Sequence, residues 1–574
     1  MSFSRSVRRC LGAGAALAVT GTAVIAAPAL ADTAEPRNII VMIGDGMGYN
    51  HVDASSLYQH GQSNWQAEVD PATGAIEYAG SYGENPSQVY EHYDVQLGMS
   101  HHSLDSPVYD GEAAWAEFDW AKQNPTDSAA SGTALATGVK THNGYLGVDA
   151  DQQPVENVAE YAAQTGRATG VVSSVPFGHA TPASWGSHVA SRGANHEIAQ
   201  QMIDGSLDVV IGAGHPFYDD DAQPRDPEWI WLSEEQYTAL ETGETGYAFV
   251  DDSAGLEAVA SGAEVPERLF GLAPVAETLQ YNRTSLAEAE PRRDAGRVDG
   301  EPITGDAPLP FETQLNDVPS LSELSSAALN VLSQNDEGFF TMIEGGAIDW
   351  AGHANATTGN LEEMIDFNDA VETVHAWVEE NSSWDETLLI VTADHETGYL
   401  YGPGDGTSWT TMTGEQGQLP VDGWYSGDHT NHLVPFFAHG AGADTIPGYV
   451  RGTDPVRGDY IDNTDVALLA FDLWAADEPT EPSPEPTTEP TAEPTTDPTA
   501  QPTTDPTAEP TTEPQPGGGP GPGDEKPAGP DDNASAPGSL PRTGSEFAGA
   551  ALAALALIAL GGGALYLARR KRQV

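Results

Sequence analysis

Three aspartates, one glutamate and three histidines are of the types that gather around cations: Asp45, Asp349, Asp394, Glu344, His353, His395 and His429. Carboxylates with imidazoles suit zinc, and an all-oxygen corner suits magnesium. No thiol contributes, because the single cysteine, Cys10, lies in an N-terminal leader. Asp349 and His353 are four residues apart, so a helix starting there projects both from one face toward one ion. Asp127-Ser128 opens a run of small residues, Ala129-Ala130-Ser131-Gly132-Thr133, and Thr181 and Arg192 follow an apolar run that ends at Val175. Each residue alone has a structural explanation, since an Asp at a strand end caps a helix and Asp-His pairs are common in loops. Together, and without a cysteine, they point to metal-dependent chemistry.

Such residues need rigid elements to hold them. Apolar runs at 38–43, 168–175, 207–211, 339–343, 387–392 and 433–438 read as strands, each bounded by Gly, Asp or His, with helical patterns such as 361–378 between them. Continuous apolar strands alternating with amphipathic helices predict an α/β fold, a mainly parallel sheet covered by helices on both faces. Sites in such folds gather beyond the carboxyl ends of strands, where Asp45, Thr181, Glu344 and Asp394 fall.

Both ends of the chain are addresses. Arg5, Arg8 and Arg9 precede an apolar run at 11–27 and then Ala29-Leu30-Ala31. That order describes a secretory signal peptide, cut by signal peptidase after Ala31. From 477 to 539 a Pro/Thr/acidic repeat of period near four gives way to Gly and Pro, which forbids helix and sheet pairing and predicts an extended, disordered stalk. Leu540-Pro541-Arg542-Thr543-Gly544 comes next, then an uncharged stretch at 547–568, then Arg569-Arg570-Lys571-Arg572. The uncharged stretch is long enough to predict a transmembrane helix with the basic tail on the cytoplasmic side. This three-part order resembles the LPxTG cell-wall sorting signal of Gram-positive bacteria. The resemblance implies that a sortase cuts between Thr543 and Gly544 and joins Thr543 to peptidoglycan, leaving the secreted protein on the outer face. The expected organisation is 1–31 signal peptide, 32–476 catalytic domain, 477–539 wall-spanning spacer and 540–574 sorting signal.

Across 574 residues, 22 Lys+Arg stand against 87 Asp+Glu, a net charge of -65. Nucleic-acid binding by bulk charge is excluded, because phosphate backbones need a basic footprint. Only Lys122 and Lys140 are lysines within 32–476. So acidic a surface stays soluble where salt screens its self-repulsion.

The segment 127–133, with Gly44-Asp45-Gly46-Met47-Gly48 and Thr392-Ala393-Asp394-His395, resembles alkaline phosphatase over residues 38 to about 476. The resemblance implies a phosphomonoesterase with two zinc ions, one magnesium and a serine nucleophile. Ser128 becomes the phosphorylated group. Asp349, His353 and His429 would hold the first zinc, and Asp45, Asp394 and His395 the second, beside Ser128. Glu344 and Thr181 would join Asp45 around magnesium. Arg192 would clamp the phosphate, with Asp127 orienting Arg192 or a nearby amide. His179 and Trp350 stand where the enterobacterial enzyme has Asp and Lys, so contacts just behind the ligands differ from that member. His432, three residues after His429, is the rival ligand. The aromatic, acidic stretch 78–120 reads as an insertion near the site mouth or as a surface loop. Two other readings compete: a phosphodiesterase or sulfatase on the same fold, and a non-catalytic adhesin. A sulfatase needs a Cys or Ser in a C/S-x-P-x-R context that Ser128 lacks, and an adhesin has no physical need for the ligand set.

Overall fold

Asn38–Gly44 is buried at every residue, and its β-branched and apolar side chains have packing on both faces, which is what a central strand requires. In the computed structural model this strand, β1, lies in a mixed, mostly parallel sheet of 11 strands. The structure describes residues 35–69, 76–78, 86–293, 296–303 and 307–475. The other strands are β2 (Val95–Ser100), β3 (Ala168–Pro176), β4 (Val209–Ala213), β5 (Ala248–Val250), β6 (Leu269–Leu272), β7 (Phe339–Gly345), β8 (Thr387–Thr392), β9 (Val434–Gly440), β10 (Gly452–Asp454) and β11 (Gly458–Asp462). Their order is β10-β11-β2-β9-β8-β1-β7-β3-β4-β6-β5. From β8 through β5 every neighbour is parallel, whereas β9 runs antiparallel to both β8 and β2. The α/β class with a mainly parallel sheet, expected from the strand pattern, is the one observed.

Helices carry the remaining site residues. α1 (Tyr49–His60) follows the loop after β1, and α2 (Ser128–Thr137) starts where the Asp127 side chain accepts from the Ala130 N–H at 2.9 Å. That side-chain cap satisfies one of the free N–H groups of the first turn. α3 (Ala180–Ala183) follows β3; α4 (Leu321–Leu332) opens on a Ser320/Glu323 capping box. α5 (Ala347–His353) leaves the end of β7, and α6 (Thr357–Asn381) follows it directly.

Two expectations change. The stretch 78–120 is not a surface loop where it is described: it supplies β2, paired with β9 and β11, and buries Tyr90, Tyr93, Trp115 and Phe118. Its strand was hidden because Val-Gln-Leu-Gly-Met-Ser lacks a continuous apolar run. The expected transmembrane helix is also corrected. Among the described residues no helix is long and apolar enough to cross a membrane. The longest helix, α6, carries Glu362, Glu363, Asp366 and Asp369 within two turns, a charge load no hydrocarbon core accepts. The segment 547–568 on which that expectation rested lies outside the described residues, as do the signal peptide, the spacer and the sorting signal.

One glycine fixes how β1 hands over to the site. Gly46 has φ +79, and a Cβ there would meet the Cα of Asp349 at 2.8 Å. Gly46→Ala therefore combines the left-handed backbone penalty of about 1–2 kcal/mol with a collision against α5. Gly243→Ala, at φ +74 with open space around it, carries only the first part. Denaturant unfolding of both variants is expected to show the larger loss at Gly46, and equal losses would remove the clash.

Candidate active site

Three strand ends and two helices converge. Asp45 follows β1, Glu344 is the penultimate residue of β7, Asp394-His395 follows β8, Ser128 begins α2, and Asp349 and His353 project from one face of α5. His429 reaches in from a short two-residue strand paired with Glu396-Thr397. Asp45, Asp394, Glu344 and His395 are wholly buried; Asp349, Ser128 and His429 are nearly so.

Among the described residues four clusters share members. Asp45, Asp394 and His395 form one, and Asp349, His395 and His429 another. His353 joins His429 and Asp428, and its Nε2 is also 3.4 Å from Asp349 Oδ1. Asp45 and Glu344 lie with His179, while Thr181 Oγ1 is 3.4 Å from Asp45 Oδ2. Ser128 Oγ is 3.2 Å from Nε2 of His395. The expected ligand-type residues thus meet in one place.

The hydrogen bonds assign the imidazole tautomers. Nδ1 of His429 donates to the Thr126 carbonyl at 2.7 Å, and Nδ1 of His353 to that of Gly427 at 2.9 Å. Thr397 gives its hydroxyl proton to Asp349 Oδ1 at 2.6 Å, so its oxygen accepts from Nδ1 of His395 at 3.2 Å. In their neutral forms all three therefore present an Nε2 lone pair inward, the arrangement metal-ligating histidines use. His429 and His353 bring these atoms to 3.1 Å from each other, and Nε2 of His395 is 3.1 Å from Asp394 Oδ2. Acceptor facing acceptor is repulsive unless a cation or proton lies between. Asp45 Oδ1, Asp394 Oδ2 and Glu344 Oε1 are buried without a hydrogen-bond partner. These oxygens and nitrogens fit a group of divalent cations.

Electrostatics agrees with the geometry. Burial, then Asp394, Asp349 and Glu344, raises Asp45 well above the carboxylate range. Burial pushes Glu344 up to about 8 and Asp394 up to about 7. Burial works the same way on Asp349, but His353 and His429 overcome it and hold that group well below the usual range. Burial opposes a charge on His429, yet its bond to Asp349 lifts it to about 9.

Arg192 sits beside this core. Its Nη1 is 3.1 Å from Asp127 Oδ2 and its Nη2 donates to Nε2 of His179 at 3.2 Å. Asp127 also accepts from the Gly144 N–H at 3.0 Å while capping α2, so it orients both Arg192 and an amide. Burial, then Arg192, lowers His179 to about 3, which keeps it a neutral acceptor. Trp350 packs edge-on against His179 at 5.7 Å. His432 stays outside the clusters, bound instead to the Tyr399 hydroxyl.

Sequence reasoning missed Asp428, Thr397 and Ser173, the last donating to Glu344. Asp428 and Thr397 each lie within two residues of a named histidine, and that adjacency was the available signal. Ser173 lies inside a buried strand and gave none.

The family model described as alkaline phosphatase matches residues 113–419, more than half of the chain. The match includes Ser128, Arg192, Glu344, Asp349, His353, Asp394 and His395, and leaves Asp45 and His429 outside it. A second model, the LPXTG cell wall anchor motif, matches residues 532–574. Alkaline phosphatase 4 of Bacillus subtilis is 28% identical over 489 residues, covering 74% of this chain and 88% of that protein. The alkaline phosphatase of Escherichia coli is 28% identical over 447 residues, covering 73% and 84%. The crystal structure of a cold-active alkaline phosphatase from Shewanella sp. shares the fold, with a TM-score of 0.51 at 24% identity over 76% of this chain and 99% of that one.

The carboxyls with raised pKa give a stability test on chelator-treated protein. Between the ordinary carboxylate range and about 8, Glu344 and Asp394 bind more protons folded than unfolded. Stability therefore falls as pH rises through that window. The lift on His429 acts in the same direction up to about 9. Calorimetry is expected to give the stripped protein a lower melting temperature at pH 9 than at pH 6, with added zinc restoring more at pH 9. A flat profile would mean that the cluster does not form without metal.

Proposed function

The chain belongs to the alkaline phosphatase family, and we propose that it hydrolyses phosphate monoesters through a phosphoserine at Ser128, with two zinc ions and one magnesium. As a family member it is a phosphatase, and its C-terminal motif marks it for covalent anchoring to the cell wall of a Gram-positive bacterium. The observation that carries the mechanism is the position of Ser128. It is the first residue of α2, with its hydroxyl against His395 and next to carboxylate oxygens that lack partners.

In this reading Asp349, His353 and His429 hold one zinc; Asp45, Asp394 and His395 hold the other; Asp45, Glu344 and Thr181 hold magnesium. When bound, the ions supply a lower pKa for the serine hydroxyl and for water, and countercharge for the phosphoryl oxygens. The chain's own residues do the rest. Ser128 gives up its hydroxyl proton to solvent, Oγ forms a bond to phosphorus as the ester P–O bond breaks, and the departing oxygen takes a proton from water. Placement at the first turn of α2 sets the developing negative charge at the positive end of the helix dipole. Arg192, held by Asp127, offers two parallel N–H donors to the phosphoryl oxygens, which a lysine does not. Water then attacks the phosphoserine, releasing phosphate and restoring Ser128.

Around that body we place a signal peptide at 1–31, removed by signal peptidase, and sortase cleavage between Thr543 and Gly544 with transfer of Thr543 to peptidoglycan. The spacer at 477–539, at ~3.1 Å per residue, reaches on the order of 190 Å when extended. It would hold the active site where esters too charged to be imported arrive.

Ser128→Ala is expected to lower turnover of a nitrophenyl phosphate by several orders of magnitude with zinc content unchanged, because alanine suits a small-residue helix start. Activity within about tenfold of wild type would overturn the nucleophile. Thr543→Ala is expected to remove activity from the muramidase-released wall fraction while leaving its specific activity intact. Continued release by muramidase would overturn the sortase step.

A further inference from the structure

We propose that Arg293 favours phosphate monoesters whose leaving group carries a second anionic group, a phosphate or a carboxylate. The inference rests on the phosphatase reading above and concerns the rim of the same site. Of the seven ligand-type residues only His353 is substantially open, with 38% of its side chain exposed. Gly427 and Asp428 beside it are exposed as well. The centre meets solvent there, so the leaving group departs past them.

Arg293 is built into this rim. Its backbone N–H donates to the Ala354 carbonyl at 2.7 Å, one residue beyond α5, the helix that bears Asp349 and His353. Its guanidinium lies flat against Gly427: a Cβ at 427 would meet Nη1 at 3.0 Å and Cζ at 3.1 Å. A side chain there would make the guanidinium give way by a few tenths of an ångström. The same Gly427 presents its carbonyl to Nδ1 of His353, so cation and candidate ligand share one residue as a spacer. Nη1 donates to Asn355 Oδ1 at 3.0 Å, and Asn355 in turn donates to the carbonyls of Gly352 and Ser426. Nη2 is 3.1 Å from Asp299, whose side chain is 48% exposed. These described contacts use two of the five guanidinium donors.

Charge gives the position its consequence. A net charge of -65, with Asp428 at the rim, repels an approaching anion. Arg192 answers the phosphoryl group being transferred. A further negative charge on the leaving group lies on the solvent side, where Arg293 offers a planar fork matched to carboxylate or phosphate. That charge is present in the ground state and in the transition state alike, so the interaction acts on KM more than on kcat.

The test compares phenyl phosphate, 3-carboxyphenyl phosphate and 1,3-phenylene bisphosphate as substrates for the wild-type protein, Arg293→Gln and Arg293→Lys. Dividing wild-type by variant kcat/KM for each substrate cancels its intrinsic reactivity. For Arg293→Gln that quotient is expected to be on the order of five- to tenfold larger for the two charged substrates than for phenyl phosphate, mostly through KM. Arg293→Lys is expected to recover part of the loss, and high salt to shrink the difference. An effect on the bisphosphate alone would assign the preference to phosphate, and on the carboxyphenyl ester alone to carboxylate. Equal quotients for all three substrates would overturn the role of Arg293 while leaving the phosphatase reading intact. A wild-type protein that hydrolyses none of them would overturn that reading instead.

Discussion

Four carboxyl groups closed off from water in one place form the constraint on which the rest of this structure depends. Two such charges 4 Å apart repel by roughly 4 kcal/mol even at an effective dielectric of 20. Asp45, Glu344, Asp349 and Asp394 stay together only because each is fixed by an element that has no freedom to retreat. Three of them sit at the ends of adjacent, fully buried strands, and the fourth is on a short helix pressed against Gly46. The histidines are immobilised just as firmly, their Nδ1 protons spent on a threonine and two backbone carbonyls. What the fold builds is an electrostatic debt, and divalent cations are its natural settlement.

Much of this was legible in the residues. A run of apolar residues ending in a carboxylate gives both a central strand and a site residue, which is why β1, β3, β7 and β8 and the groups after them were readable together. The 3.6-residue period likewise put Asp349 and His353 on one face before any coordinate was known. The edge of the sheet was different. β2 alternates polar and apolar residues and contains a glycine, so its identity as a strand comes from β9 and β11 on either side. Thr397 and Ser173 were invisible for a related reason: a hydroxyl that orients a ligand has no spacing rule, and only the folded register brings it within 3 Å. His432 shows the reverse, a histidine three residues from a site residue that the chain turns toward Tyr399.

Net charge and local charge pull in opposite directions here. A surface this acidic keeps the protein apart from its neighbours and disfavours every anionic substrate at long range. Cations are few in the body, and two of them stand beside the site: Arg192 on Asp127, and Arg293 on Gly427. Arg283, by contrast, is sealed against Glu362 with both Nη nitrogens engaged, holding α6 to the segment around residue 283.

The pairing of β1 bears on when this molecule acquires its shape. Asn38 begins the central strand, yet its side chain bonds Thr387, 349 residues later, and accepts from Phe339, 301 residues later. A chain synthesised amino end first exposes Asn-Ile-Ile-Val-Met-Ile long before either partner strand exists. Contacts this distant in sequence are slow to form, and an unpaired apolar strand is prone to aggregate while it waits. The middle of the sheet is thus closed late in synthesis, and until then the segment needs a chaperone's cover or the confines of the export route.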